Sequence, residues 1–253
     1  MCVRAGRRLL AAVAALAMLR PINALAGPPF VTDDPVPVEY QGWEINTSLV
    51  GTLVRDGGAS AAPSVDINYG AQPWLQLHLQ PQVTAVWAAA GTEAGIGDTQ
   101  VGAKIRLLDE DKQGWAPMVS VYPIFTAPTG NAARGLGAGL GNIFLPVWVD
   151  KTFGKWIVDG GAGYSINPGT QRRNSWFAGA LLLYQLTDVL QLGGEVYQQT
   201  AAVRGTPNAP GFNLGGSYDF SQTCHILFSA GRGFSHASGV NIFSYYLGLQ
   251  LTF

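Results

Sequence analysis

The feature that most limits what this chain can fold into is a strict two-residue alternation that begins at Leu75. Leu75, Leu77, Leu79, Val83, Ala85 and Trp87 are apolar, while Gln76, His78, Gln80, Gln82 and Thr84 are polar. Side chains of a strand point to opposite faces in turn, so this stretch has one greasy face and one wet face. The pattern returns at Val101, Ala103, Ile105 and Leu107, and at Phe212, Leu214, Gly216, Tyr218 and Phe220. No apolar run after residue 26 approaches the roughly 20 residues of a membrane-spanning helix. About twelve such segments are expected, near 43–54, 64–70, 74–87, 97–108, 115–126, 141–152, 156–167, 174–186, 189–200, 211–220, 224–234 and 241–253. Most match the 9 to 11 residues of a tilted membrane strand.

The links between these segments point the same way. Longer ones such as "RDGGASAAP", "AAAGTEAGI" and "PTGNAARGLGAGL" alternate with short ones such as "AQP", "DEDKQG", "FGK", "TD" and "SQT". Outer-membrane barrels pair short periplasmic turns with longer outer loops. Charged residues are 12% of the sequence, about half the usual share in soluble domains. The expectation is an all-β fold: a transmembrane antiparallel up-and-down β-barrel of about 12 strands, spanning 43–253.

Residues 1–26 read as a signal peptide, with Arg4, Arg7 and Arg8, an apolar stretch from Leu9 to Leu19, and an Ala24-Leu25-Ala26 cleavage site. The expected location is the bacterial outer membrane after export. Removing this peptide with its four arginines leaves 11 Lys+Arg against 16 Asp+Glu, a net charge of about −5, which argues against nucleic acid as a partner. Cys2 leaves with it, so Cys224 has no internal partner. Residues 27–42 then form an N-terminal segment that lies in the periplasm or enters the barrel mouth.

Tryptophans favour membrane interfaces, and all seven fall near segment ends: Trp43, Trp74, Trp115, Trp148 and Trp156 toward short turns, Trp87 and Trp176 toward long loops. Tyr245, Leu247, Leu249, Leu251 and Phe253 share one face of the last segment. This face is expected to meet lipid, and the strand to close the barrel and remove its edge. A terminal aromatic after alternating apolar positions also resembles the signal read by the barrel-assembly machinery.

Strand phase points Glu44, Asp66, His78, Asp98, Lys104, Arg106, Asp159, Glu195 and Asp219 inward. A charge facing mid-membrane lipid would cost roughly 2–4 kcal/mol. These groups either select solutes or pair with one another and fill the lumen. Arg232 breaks the phase; a bulge near Gly231 and Gly233, or a place near the interface, would relieve it.

Enzyme chemistry has little support. His78, His225 and His236 lack metal-ligand spacing, and "GLGAGLG" lacks the lysine of a phosphate loop, so no metal or other cofactor is implied. Ser235 and His236 suggest a lipid hydrolase, but neighbours in a strand face opposite ways. A structural or adhesion barrel is the other alternative to a channel.

The stretches "GPPFVTDDPVPVEYQGWE", "GIGDTQVGAKIRLL", "FTAPTGNAARGLGAGLGN", "LPVWVDKTFGKW", "NSWFAGALLLY" and "FSAGRGFSHASGVNIFSYYLGLQLTF" resemble the outer-membrane transporter family associated with the meta-cleavage pathway of phenol degradation. The resemblance implies a barrel in outer-membrane lipid and passage of a small-molecule solute, aromatic or poorly soluble. It brings no catalytic residues. Its most specific stretch holds Thr32, Asp33, Asp34 and Pro35, which either plug the barrel mouth or form a simple Asp-Asp-Pro turn.

Overall fold

The structure is a computed structural model that describes residues 28–253; the signal-peptide expectation lies outside the described residues. Twelve antiparallel strands follow in chain order. They are β1 (Trp43–Val54), β2 (Gly57–Gln72), β3 (Leu75–Gln80 continued by Gln82–Ala88) and β4 (Gly91–Ile96 continued by Thr99–Leu108). Next come β5 (Met118–Val121 continued by Ile124–Ala127), β6 (Asn142–Phe153), β7 (Trp156–Ile166) and β8 (Ser175–Thr187). The last four are β9 (Leu190–Gln199), β10 (Ala209–Asp219), β11 (Cys224–Gly233) and β12 (Phe243–Thr252). Each strand pairs with its neighbours in sequence, and β12 returns to β1 from Glu44↔Thr252 to Leu53↔Phe243. The seam is sealed beyond the strand end, where Trp43 N–H donates to the Phe253 carbonyl at 2.6 Å and Phe253 N–H to the Trp43 carbonyl at 3.0 Å. A closed ring leaves no backbone edge to be satisfied by lipid.

The core is inverted relative to a soluble protein. Asn46, Ser64 and Ser120 are buried, while Leu79, Val147, Leu247 and Leu214 (63% exposed) cover the outside. Proline explains two of the strand interruptions. Pro81 and Pro123 have no N–H for the ladder, and each breaks its strand for a residue or two without changing the phase. Thus Ser120, Tyr122, Ile124 and Thr126 all face inward across the break in β5.

Two links expected to be long loops are mostly strand. β2 begins at Gly57 and β4 at Gly91, so "RDGGASAAP" and "AAAGTEAGI" shrink to tight turns. Their Gly, Ala and Ser residues carry no apolar rhythm, yet the small side chains are what the inner wall needs there. Leu136, from the connection 128–141, folds into the barrel and packs on Ala59 and Val86. Conversely, the link 109–117 is longer than the "DEDKQG" turn expected. We call the end holding turns 73–74, 154–155 and 188–189 the short-turn end, and the other the long-loop end.

Arg232 keeps its outward phase at the last turn of β11, and its register with Phe212 is regular. Of the two remedies expected, position near the strand end is the one that applies; no bulge forms between β10 and β11.

Candidate functional site

Residues 28–42 enter at the short-turn end and run inside the barrel, because the wall offers a partner for nearly every turn of this segment. Gln41 N–H donates to the Gly70 carbonyl at 2.7 Å, and Val38 N–H to Gln76 Oε1 at 2.9 Å. Pro35 carbonyl accepts from Ser120 Oγ on β5, and Pro29 carbonyl from Ser229 Oγ on β11. Between them Glu195 on β9 accepts from Val31 N–H at Oε1 and Thr32 N–H at Oε2, both at 2.7 Å. Asn213 Nδ2 adds a third bond to Oε1 at 2.6 Å. A backbone without regular structure can enter a barrel only if its amides find acceptors there.

Charge fixes the middle of the segment. Lys104 Nζ on β4 reaches Asp33 Oδ1 at 3.1 Å and Asp34 Oδ1 at 3.4 Å, and lies 5.2 Å from the centre of the Tyr122 ring. Thr32, Asp33 and Pro35 are fully buried. Glycines make the room: a Cβ at Gly179 would collide with Thr32 Oγ1, and one at Gly70 with the Glu39 carbonyl.

A polar ladder faces the segment from β1, β2 and β3. Asn46 Nδ2 donates to Glu44 Oε1 at 3.0 Å, and Asn68 Nδ2 to Asp66 Oδ1 at 3.0 Å. His78 Nδ1 lies 2.9 Å from Asp66 Oδ1 and 3.1 Å from Asn68 Oδ1, and Gln76 Nε2 donates to Asn68 Oδ1 at 2.8 Å. The opposite wall carries Asp150 on β6 and Asp159 on β7, directly paired in register. A cavity of about 990 Å³ lies between these walls. Trp43, Lys112, Gln222 and Phe253 line it at the short-turn end.

An apolar patch lies on the inner face of β5, β6 and β8. Tyr122, Ile124, Phe144, Trp148 and Phe177 form an inner cluster against which Val31 and Tyr197 pack. Trp148 therefore does not sit at a membrane interface as its sequence position suggested. It shares the inward phase of Phe144 and Pro146 and is 0% exposed, its ring 5.9 Å from that of Phe177.

The charged residues picked out by phase divide into three groups. Glu44, Asp66, His78, Lys104, Asp159 and Glu195 stand around the segment and cavity as described. Asp98 instead organises the long-loop end, accepting from Gly130 N–H at 2.9 Å and Ala138 N–H at 2.7 Å. Arg106 and Asp219 lie at strand ends near the short-turn rim, where they pair with Asp109 at 2.8 Å and His225 at 2.7 Å. Alternation gives the face of a residue but not its depth, and depth separates these groups. Ser120, Ser229 and Asp150 were not singled out from the sequence, and Gln76 only as part of the polar face of 75–87; Asp150 carried a signal too, as an acid on the inward phase of β6.

On the outside of the last strand, Leu247, Leu249, Leu251 and Phe253 are exposed and Tyr245 is half-buried. His236, with φ 52°, precedes the short helical turn Ala237–Val240 in the link 234–242. Among the described residues, no three His, Cys, Asp or Glu side chains are grouped to hold a metal ion.

The family model described as "Putative MetA-pathway of phenol degradation" matches residues 47–249. The chain belongs to this family. The match begins inside β1, so the segment 28–42 lies outside the matched part while most of its anchors lie within it. Among solved structures, the COG4313 outer membrane channel from Pseudomonas putida F1 superposes with a TM-score of 0.67 at 17% identity, covering 90% of this chain and 99% of that one. The translocator domain of the autotransporter NalP from Neisseria meningitidis is a fainter likeness: TM-score 0.48, 14% identity, 85% of this chain and 89% of that one. No curated protein sequence matches. The fold of this family member is thus that of a bacterial outer-membrane β-barrel.

Proposed function

We propose that this protein is an outer-membrane channel for passive uptake of small solutes, aromatic or hydrophobic compounds among them. The observation that carries the reading is the cavity of about 990 Å³ inside a closed barrel, reaching the short-turn end at Trp43, Lys112, Gln222 and Phe253 and bordered by a segment held through polar contacts. A filled structural core would hold no such space, and a lining that mixes polar groups with the rings of Tyr40, Trp43, Tyr122 and Phe253 suits solutes with a ring and a polar group. The family description, which concerns phenol degradation, agrees with such cargo. The solved relative is named an outer membrane channel.

In this reading residues 1–26 direct export and are removed, and the short-turn end faces the periplasm. Residues 27–42, with Thr32, Asp33, Asp34 and Pro35 at their centre, act as a plug. Glu44, Asp66, His78, Lys104, Asp159 and Glu195 line the path or hold the plug, while Asp98, Arg106 and Asp219 shape its ends. The face of Tyr245, Leu247, Leu249, Leu251 and Phe253 meets lipid and is read by the assembly machinery. The test is uptake into protein-bearing vesicles across a panel of phenols, aromatic acids and sugars. Faster entry of some solutes than into protein-free vesicles is expected; equal entry for every solute would refute the channel.

A further inference from the structure

The two ends of the barrel carry opposite charge. Links at the long-loop end hold Arg55, Arg134, Arg172, Arg173 and Arg204 against Asp56 alone, whereas those at the short-turn end hold Asp109, Glu110, Asp111 and Asp188 against Lys112 and Lys155. Arg134 pairs with Glu93 at 2.6 Å, and Arg172 reaches the Leu140 carbonyl at 3.5 Å. Arg173 and Arg204 stay uncompensated. No Asp or Glu occurs in 160–187 or 196–218, and among the described residues neither arginine pairs with a carboxylate. The fold brings these two together. A bridge between Arg172 and Val203 joins the link 167–174 to the link 200–208; Arg173 N–H donates to the Ala202 carbonyl at 3.0 Å and Arg204 N–H to the Gln171 carbonyl at 2.9 Å. Side chains alternate along such a pairing, so Arg173 and Arg204 share the face opposite Arg172 and Val203. Both are exposed, while Arg172 and Val203 are half-buried. As diagonal neighbours they stand about 7–8 Å apart, within reach of a single anion for two long side chains. Arg173 Nε is held by the Ala201 carbonyl at 2.6 Å, which leaves both terminal nitrogens of its guanidinium to donate elsewhere.

The pair belongs to the outside of the barrel. Val196 is on the outer face of β9, and the same phase runs through Thr200 and Ala202 to Arg204, with Ala201 buried on the inner phase between them. Nearer the middle of the wall lies an aromatic step: Trp176 is 59% exposed on the outer face of β8, its ring 4.7 Å from that of Tyr164. Exposed tryptophan and tyrosine mark the level where lipid headgroups meet acyl chains, so Arg173 and Arg204 stand at headgroup height. We propose that these two arginines dock a phosphate of the phosphorylated glycolipid that forms the outer leaflet of an outer membrane, with Trp176 and Tyr164 against the root of its acyl chains. Guanidinium forks match phosphate oxygens two at a time and are weakly hydrated, which favours arginine over lysine for this task. Arg232, outward at the end of β11 beside the stacked rings of Phe212 and Phe234, meets the same anionic layer. The assignment rests on the reading that the short-turn end faces the periplasm; it does not depend on transport.

The experiment has two readouts on the full chain. The first is native mass spectrometry of the protein released from detergent micelles with bisphosphorylated lipid A or its dephosphorylated counterpart, with and without inorganic phosphate. Retention of the bisphosphorylated lipid is expected to exceed that of the dephosphorylated one, and Arg173→Gln/Arg204→Gln to weaken it by roughly tenfold or more through loss of two charged donors. Arg55→Gln, across the barrel in the link 55–56, retains it. The second readout is labelling of Arg204→Cys on intact cells by a membrane-impermeant maleimide, measured above the signal of the unmodified protein with its free Cys224. Labelling from outside is expected.

Equal retention of the two lipids, or undiminished retention in the folded double variant, overturns the proposal. Displacement of lipid A by inorganic phosphate at equal concentration overturns the lipid as occupant and leaves a site for soluble anions. Labelling of position 204 only after the envelope is opened overturns the orientation, and with it the outer leaflet as the source of the ligand. Neither readout measures solute passage, so a barrel that binds the lipid but admits no solute keeps this site and loses the channel, and a barrel that admits solutes without retaining the lipid does the reverse.

Discussion

Replacing Glu195 by alanine is the most informative single change, because this carboxylate holds two consecutive amides of the inner segment. Val31 and Thr32 each donate to it at 2.7 Å. Hydrogen bonds to a charged group contribute about 1.5–3 kcal/mol each. The lumen is polar and water can replace part of this loss, so the lower bound for two bonds, about 3 kcal/mol, is the appropriate figure. At about 1.4 kcal/mol per tenfold change, undocking of the segment becomes roughly a hundredfold more frequent. Amide hydrogen exchange reads this directly, since exchange of a protected amide follows the local opening equilibrium. Amides of Val31 and Thr32 are expected to lose about two orders of magnitude of protection in detergent micelles. The ladder amides of β8 and β9 away from residue 195 keep theirs. Unchanged protection at Val31 and Thr32 in a folded Glu195→Ala barrel would refute the anchoring argument.

The remaining predictions test other parts of the account. Trp148→Ala removes the largest fully buried side chain from the inner cluster, and a loss of about 3–5 kcal/mol in urea unfolding from vesicles is expected; a change near zero would show that Trp148 is not packed. Leu214→Arg places a charge on the outer face of β10, with an expected cost of about 2–4 kcal/mol in the same assay. A neutral result would remove that face from hydrocarbon. Glu110, in the link 109–117, accepts from Thr152 N–H at 2.8 Å and pairs with Lys151 at 3.1 Å. The Thr152 N–H, followed by the Lys151 ammonium, holds its carboxyl below the usual range against some opposing desolvation. A depressed acid stabilises the folded link above its unfolded pKa, so the anchorage is full at neutral pH and is lost as pH falls through the lower folded value. Proteolysis within 109–117 should therefore rise below about pH 4 in the unmodified protein and be high at all pH values in Glu110→Gln; equal cleavage of both proteins at neutral pH would contradict it.

Much of the barrel was legible because lipid outside and water inside impose a period of two on every strand. The runs 75–87 and 211–220 show this without interruption. The parts that were not legible lack that rhythm for physical reasons. The start of β2 is built of Gly, Ala and Ser because Leu136 packs against it from inside, so its inner face carries little bulk and its outer face no clear apolar signal. Trp148 was misplaced because an aromatic near a strand end suits either a membrane interface or an inner core, and only phase separates the two. The charged inner residues were identifiable by face, but Asp98, Arg106 and Asp219 differ from Lys104 and Glu195 in height along the barrel. Nothing in a two-residue period encodes height. The segment 28–42 has no period at all; its path is set by acceptors and donors scattered over β3, β4, β5, β9 and β11, which come together only once the ring closes.

The central claim is that solutes pass through the barrel and that the inner segment narrows the way. It is tested most directly by single-channel recording of the full protein beside a variant lacking residues 28–42, whose closing bonds between Trp43 and Phe253 remain. The account predicts small conductance steps for the full protein and larger ones for the shortened barrel in the same salt. Equal conductance in the two, or none in either with both barrels folded, would contradict it.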